Sequence, residues 1–384
     1  GGSLLTVEPR DGTYRLLCDG VPLSPDGLQV RSILGVEPNG DGYSAVVQAW
    51  TDPVDIDVLR ISIDGVGSKK AGFWELVSGG GGVRSAAVGG GVTVVSVADL
   101  NGSSTTVLPG GQVIADYTED PWVRPRPIFH VVGERQLRSA VVLPTDHDGS
   151  PLPVLLDPYG GPQSQRVQRN RGQFLTSQWF ADRGFAVVVA DGRGTPGRGP
   201  GWDRAVRGDL AGPVLDDQVD ALTALAATDE RLDLSRVAMR GWSFGGFLSA
   251  LAVLRRPDMF HAAVAGAPVT DWMLYDTYYT ERYLGHPASE PENYLRSGLC
   301  DPDRWLTGHP DRPLLLVHGL ADDNVVVGHT LALSRVMLEA GRPHQVLPMS
   351  GVTHMTPQVK VAENLLLLQL AFLREALGLT GQGA

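Results

Sequence analysis

From about residue 126 onward, short and wholly apolar runs alternate with longer amphipathic stretches, and that alternation constrains the fold more than any other feature of the sequence. The runs fall at 154–156, 186–190, 237–239, 262–265 and 314–317. A strand without polar side chains on either face must be covered on both, as happens in a parallel sheet held between helices. Helical candidates lie between the runs at 174–182, 215–227, 247–254 and 329–340, and a last one at 357–377 closes the chain with Pro357 near its first turn. Repetition of this kind predicts an α/β domain over 126–384, a mostly parallel doubly wound sheet.

Residues 1–125 have a different rhythm. β-type runs at 14–18, 45–50, 58–63 and 92–97 are separated by turns such as Asp19-Gly20, Asn39-Gly40 and Asp64-Gly65, which predicts antiparallel structure. The glycine-rich stretch 78–91 fits either a flexible linker or, through Val83, Ala86 and Val88, a short strand between turns. A net charge of −11 disfavours a nucleic-acid partner. No apolar run approaches the roughly 20 residues that cross a bilayer, so no membrane partner is expected. The greasiest stretch, 365–372, is interrupted by Gln369 and followed by Arg374 and Glu375, as in a packed amphipathic helix. Cys18 and Cys300 lie far apart and form no disulfide framework, so unpaired thiols in a reducing, cytoplasmic compartment are expected. The chain opens Gly1-Gly2-Ser3 without an initiator Met, so a longer parent protein is expected. No metal or cofactor motif is found, because HExxH and Cys/His clusters are absent.

Gly241-Trp242-Ser243-Phe244-Gly245 fits G-x-S-x-G, with an apolar run leading in at 237–239 and a helical stretch leaving from 247. A sharp strand-to-helix turn raises a serine hydroxyl above the sheet, and small neighbours let the backbone pass. Serine alone is a weak nucleophile and needs a base that is itself oriented by an acid. In α/β-hydrolase folds those partners follow the serine in the order acid, then histidine. The segment His318-Gly319-Leu320-Ala321-Asp322-Asp323-Asn324 follows the run 314–317, so Asp322 and Asp323 compete for the acid. Of the three later histidines, His329 falls in a helical stretch and His344 opens the strand 345–349. His354 sits in the loop beyond that strand and is the expected base. The backbone N–H of Phe244 is one oxyanion donor by position. A second should come from the loop Asp157-Pro158-Tyr159-Gly160-Gly161-Pro162, where Tyr159 serves equally well as a donor or as an anchor for a glycine turn.

Tyr159-Gly160-Gly161-Pro162, Asp191-Gly192-Arg193-Gly194, the Ser243 turn with Gly246, and the segment running from His318 to Val325 occur in the order that resembles the prolyl oligopeptidase superfamily. The stretch Tyr275-Asp276-Thr277-Tyr278-Tyr279-Thr280-Glu281-Arg282-Tyr283-Leu284-Gly285 resembles its dipeptidyl peptidase IV branch. The resemblance covers 126–378 well and the first 125 residues loosely. It implies an α/β-hydrolase preceded by the last blades of a β-propeller, with Ser243, Asp322 and His354 as the triad and Tyr159 as the oxyanion tyrosine. It also implies a compact pocket for proline or alanine built from Val269, Trp272, Tyr275, Tyr279 and Val325, supported by Tyr283. Asn324 would hold a substrate carbonyl, and Arg282 would lie near the substrate's amino terminus. The implied reaction is release of N-terminal Xaa-Pro or Xaa-Ala dipeptides from peptide substrates. A homodimer through the Leu-rich last helix is a further implication, although burial of that helix on its own domain is the simpler account.

Two departures stand out. Phe244 replaces a tyrosine common in this branch. The Glu-Glu pair with which the family binds the substrate amine does not occur in this sequence. The rival readings are therefore an acylaminoacyl peptidase, an endo-acting oligopeptidase, a small-molecule esterase or amidase, and a non-catalytic binding protein on the same fold. Gly192-Arg193-Gly194-Thr195-Pro196-Gly197 also matches G-x-G-x-x-G. Pro196 and Gly199-Pro200-Gly201 are not expected to open the helix that a dinucleotide site requires.

Overall fold

The computed structural model describes residues 3–39, 42–63 and 73–379, and Gly40 and the Asp64-Gly65 pair, where turns were expected, lie outside them. The chain divides into two compact units. One holds the described residues up to Pro125 together with Val167–Thr176 and Thr195–Asp203, and the other holds the rest.

In the first unit, β1 (Leu5–Arg10), β2 (Thr13–Cys18) and β3 (Val21–Pro22) form a small antiparallel sheet. Two antiparallel meanders follow. The first is β4 (Gln29–Asn39), β5 (Gly42–Asp52), β6 (Asp55–Ser62) and β7 (Trp74–Ser78); the second is β8 (Val83–Gly89), β9 (Val92–Ala98), β10 (Ser103–Leu108) and β11 (Gln112–Ile114). A single parallel bridge between Ile56 and Val83 joins them. Successive four-stranded antiparallel units of this kind are propeller-like. The glycine-rich stretch is thus a strand, β8, flanked by turns, and no linker. Leu16, Val30, Ala45, Val47, Leu59 and Ile61 form a core of this unit. Arg169 pairs with Asp55 and its N–H donates to the Val54 carbonyl, which ties the later segment to β6.

The second unit is built on one eight-stranded sheet. Its strands are β12 (Ile128–Val132), β13 (Leu137–Val142), β14 (Leu152–Leu156), β15 (Ala186–Asp191), β16 (Leu232–Trp242), β17 (Ala262–Gly266), β18 (Leu314–Gly319) and β19 (Gln345–Met349). The spatial order is β12-β13-β15-β14-β16-β17-β18-β19. β13 pairs antiparallel with β12 and β15, and every pair from β15 to β19 is parallel. The helices that follow in the chain are α1 (Leu175–Ala181), α2 (Pro200–Asp203), α3 (Gly212–Ala226), α4 (Phe244–Arg255), α5 (Thr277–Leu284), α6 (Pro291–Ser297), α7 (Gly328–Glu339) and α8 (Val359–Ala376), of which α2 and the first two residues of α1 are grouped with the first unit. Adjacent residues of β16 show that both sheet faces are covered. Met239 joins the core with Leu222 of α3 and Leu248 of α4, whereas Arg240 donates to Gln369 of α8 and lies over the Phe180 ring of α1. This is an α/β-hydrolase sheet. The chain leaves β14 toward β15 and then returns to the other side of β14 as β16, so the loops after β14 and β16 meet at the point where strand order reverses.

Two local expectations change. The last helix begins at Val359, so Pro357 precedes its N-cap, Gln358. A four-residue helix does open at Pro200, three residues after Gly197. The glycine run nevertheless serves packing. A Cβ on Gly192 would sit 2.6 Å from Asp217, and the Asp217 carboxylate takes the Arg193 N–H at 2.6 Å. A buried carboxylate occupies the amide that a phosphate would need.

Candidate active site

Ser243 stands between β16 and α4 with φ 59° and ψ −118°, a conformation that non-glycine residues rarely hold. Its surroundings leave little alternative. A Cβ on Gly241 would lie 2.3 Å from the Gly245 backbone, one on Gly245 would lie 2.7 Å from the Pro158 carbonyl, and one on Gly246 would lie 2.2 Å from the Gly266 carbonyl. The Ser243 N–H donates to the Gly266 carbonyl at 2.8 Å. These contacts fix the serine at the C-terminal edge of the sheet with α4 starting beside it. The N–H of Phe244, in the first turn, is among those a helix leaves unpaired.

The loops after β14 and β18 are equally constrained. Asp157, fully buried, accepts from Arg240 at 2.6 Å, from Arg166 at 3.1 Å and from Ser177 at 2.8 Å. Burial alone would push its pKa up, but the two arginines hold it below the usual carboxylate range. This anchors the turn that delivers Tyr159, whose ring lies 6.0 Å from that of Phe244, the residue after Ser243. Burial raises the Tyr159 pKa, an effect the neighbouring Ser243 hydroxyl partly offsets, so the phenol keeps its proton. The Phe244 ring fills the space that a side chain at Gly161 would need.

Asp322 is buried, and its Oδ2 lies 2.8 Å from His354 Nδ1. Its Oδ1 accepts the N–H groups of Asn324 at 3.0 Å and Val325 at 2.9 Å. Asp323 is exposed, and the geometry therefore separates the two aspartates that the sequence left in competition. His318 is fully buried and supports this turn. Nε2 donates to the Val325 carbonyl at 2.7 Å and Nδ1 faces the Thr330 hydroxyl at 2.7 Å, while burial depresses its pKa and keeps it neutral. The His354 loop is tethered by the Trp242 indole, which donates to the His354 carbonyl at 2.6 Å.

Beside the serine lies an aromatic cluster. Trp272, 1% exposed, stacks on Tyr279 (6.1 Å between centroids, 11° between planes) and meets Tyr275 edge-on at 6.2 Å. Tyr283 packs on Tyr279 at 5.0 Å, and the Phe244 ring is 6.0 Å from Trp272. Val269 and Val325 are buried in the same core at the base of this cluster. The Tyr275 hydroxyl donates to Asn324 Oδ1 at 3.1 Å, which leaves the Asn324 amide N–H groups as donors. Arg282 is exposed on α5, its guanidinium 5.9 Å from the centre of the Tyr283 ring. Asp276 caps α5 through the Tyr279 N–H at 2.8 Å, and Asp271 caps the 3-10 turn Trp272–Leu274 through the Met273 N–H at 2.9 Å. Burial raises the pKa of Tyr279 well above that of a free phenol.

Every candidate site residue read from the sequence lies in the second unit. Sequence reasoning missed the Trp242 tether, and it also missed Gln163, which holds φ 70° and donates to the Tyr283 hydroxyl at 3.1 Å. The Asx caps of α5 and of the Trp272 turn were readable, since Asp precedes each by one position. Among the described residues no group of three or more His, Cys, Asp or Glu is arranged to hold a metal, and no helix is long and apolar enough to cross a membrane.

A serine on a strand-to-helix turn at the edge of a mostly parallel sheet, with a carboxylate-bound histidine on a loop tethered to the residue before that serine, is the arrangement of an α/β hydrolase. Within that class the chain belongs to the prolyl oligopeptidase family, whose sequence profile matches residues 172–380. Human dipeptidyl peptidase 8 is 36% identical over 278 residues, covering 71% of this chain and 30% of that protein. A probable dipeptidyl-aminopeptidase B of Aspergillus clavatus is 42% identical over 183 residues, 47% of this chain and 20% of that one. Among solved structures, dipeptidyl peptidase 4 of Porphyromonas gingivalis superposes with a TM-score of 0.85 at 24% identity, over 98% of this chain and 55% of that chain. A putative dipeptidyl aminopeptidase IV of Bacteroides ovatus gives 0.83 at 20% identity, over 97% and 57%. The chain therefore spans less than a third of these two curated relatives and little more than half of the solved ones.

Proposed function

We propose that this chain is the catalytic portion of a serine peptidase that removes Xaa-Pro or Xaa-Ala dipeptides from peptide amino termini. In this reading 126–384 is the catalytic domain and 1–125 a partial propeller. The observation that carries the reading is the stacked Trp272–Tyr279 box lying beside the ring of Phe244, the residue after Ser243, which in turn meets the Tyr159 ring. A rigid pyrrolidine ring fits between aromatic faces, and a small alanine methyl also enters such a box. The names of the relatives point the same way.

Asp322 accepts the Nδ1–H of His354, which leaves Nε2 with its lone pair for the Ser243 proton. As Ser243 Oγ bonds to the carbonyl carbon, negative charge collects on the carbonyl oxygen. The Tyr159 O–H and the Phe244 N–H donate to it, and the start of α4 adds its positive end. His354 returns the proton to the leaving amine, the C–N bond breaks, and an ester to Ser243 remains. Water, activated by the same imidazole, releases the dipeptide. Asn324 donates to a substrate carbonyl, and Arg282 lies toward the substrate's amino end. Binding of the free amine is assigned to acids outside this chain. The free cysteines, Cys18 buried and Cys300 half-buried, fit a reducing cytoplasmic setting. The exposed Leu367 and Leu368 of α8 offer a surface for a homodimer, while Leu365, Leu370 and Leu373 bury the opposite side on the domain.

The test is the initial rate on a free-amine Gly-Pro anilide beside its N-blocked counterpart, with Ser243→Ala as control. Preference for the free amine supports the dipeptidyl reading. Equal or faster cleavage of the blocked form transfers it to an endo-acting or acyl-releasing peptidase. Unchanged hydrolysis by Ser243→Ala removes the triad assignment.

A further inference from the structure

We propose that His329 is a positioning residue that clamps the turn carrying Trp272, and thereby sets the grip of the pocket on the residue before the scissile bond. The inference rests on the peptidase reading above.

His329 lies in the first turn of α7, 59 and 58 residues from Thr270 and Asp271, and its side chain is completely buried. Its Nδ1 faces the backbone N–H groups of Thr270 at 3.3 Å and Asp271 at 3.5 Å, so Nδ1 is the acceptor and the ring proton sits on Nε2. The Thr270 hydroxyl donates back to the His329 carbonyl at 2.6 Å. The imidazole therefore holds the start of the Trp272–Leu274 turn through its Nδ1, and beyond the end of that turn it packs 6.3 Å from the Tyr275 ring. Trp272 and Tyr275, two walls of the aromatic box, leave the main chain within this clamped segment. Hydrogen bonds inside the turn do not fix its distance from α7; His329 does. The next residue, Thr330, holds His318, which supports the Asp322 turn. One end of α7 thus braces both the pocket and the acid. Burial holds the His329 pKa down at about 4, so the acceptor form persists at neutral pH.

The experiment separates pocket from nucleophile without needing the substrate amine. A prolyl boronate adds to Ser243 and places its ring in the pocket, whereas methylboronate adds to Ser243 alone. His329→Leu removes the acceptor, and His329→Gln restores one. Thr270→Val removes the return bond and serves as the second probe should His329→Leu fold poorly. Losing these bonds should weaken prolyl boronate about tenfold and leave methylboronate within about twofold, with His329→Gln recovering most of the loss. Equal weakening of both boronates, unchanged prolyl binding in His329→Leu and Thr270→Val, or a glutamine variant no better than leucine would each overturn the clamp. If neither boronate binds the unaltered chain, the reading of Ser243 falls first and takes this inference with it.

Discussion

Two glycine-rich segments of this chain look alike in sequence and do opposite work. Gly89-Gly90-Gly91 closes the β8–β9 hairpin in the first unit, and Gly241, Gly245 and Gly246 surround Ser243 in the second. In the hairpin, Gly90 and Gly91 have φ of 58° and 77°, and a Cβ on any of the three would meet nothing within 4 Å. Glycine is used there for its left-handed backbone, as a two-residue turn between twisted strands requires. Around the serine no glycine has positive φ. Ser243 carries it instead, and a Cβ on each glycine would strike main-chain atoms. Glycine is used there for what it lacks. Counting glycines in a sequence cannot tell a hinge from a close approach, but the flanking pattern can: alternating strand residues mark the first, a buried strand running into a helix the second.

The largest effect should come from Gly246→Ala. Neither its backbone nor that of Gly266 can give way, so unfolding in urea should show a loss of about 3 kcal/mol or more. Peptidase activity should fall at least about 100-fold, because Ser243 would shift. An active, stable Gly246→Ala enzyme would break the contrast.

Acid should distinguish the units next. No histidine lies in the first unit, whereas the second buries His318 and His329 as neutral rings. Burial lowers the His329 pKa from 6.5 to about 4; Asp271, Asp322 and the Leu274 carbonyl act against that shift and His318 reinforces it. A depressed pKa means the neutral form stabilises the fold. That contribution is complete above pH 6.5 and is lost as pH falls toward 4. At pH 5 the second unit should be weaker by about 2 kcal/mol. Melting followed at pH 7 and pH 5 should show a smaller decrease in His329→Gln; an identical decrease would mean another group is responsible.

Ser243→Gly should remain inactive yet exceed Ser243→Ala in stability by about 1–2 kcal/mol, because only glycine relaxes the positive φ. Equal melting of the two variants would show that the turn holds no strain. The smallest change is expected at Gly89→Ala, within about 0.5 kcal/mol of the unaltered chain, since its φ is ordinary and the space around it open.

Much of this contrast could be read before any coordinates. The buried runs at 186–190 and 314–317 identified central strands because nothing polar interrupts them, and the serine, acid and histidine followed from their positions at strand ends. The hairpin β12–β13 was missed because Ile128 and Val131 face solvent and blur its apolar pattern. Spacing alone left Asp322 and Asp323 alike, because adjacent carboxylates share their sequence context; the family resemblance chose Asp322, and its 2.8 Å approach to His354 agrees with that choice. His329 looked like an ordinary helix residue for the same kind of reason. Its partners are about 59 residues away, and no local spacing records them.

The indole of Trp242 joins the end of a central strand to the carbonyl of the histidine loop. His354 therefore cannot fray on its own while the end of the strand below Ser243 stays in register. On heating, catalytic competence should persist until the sheet itself melts, and the loss of turnover and of structure should coincide in a single cooperative event.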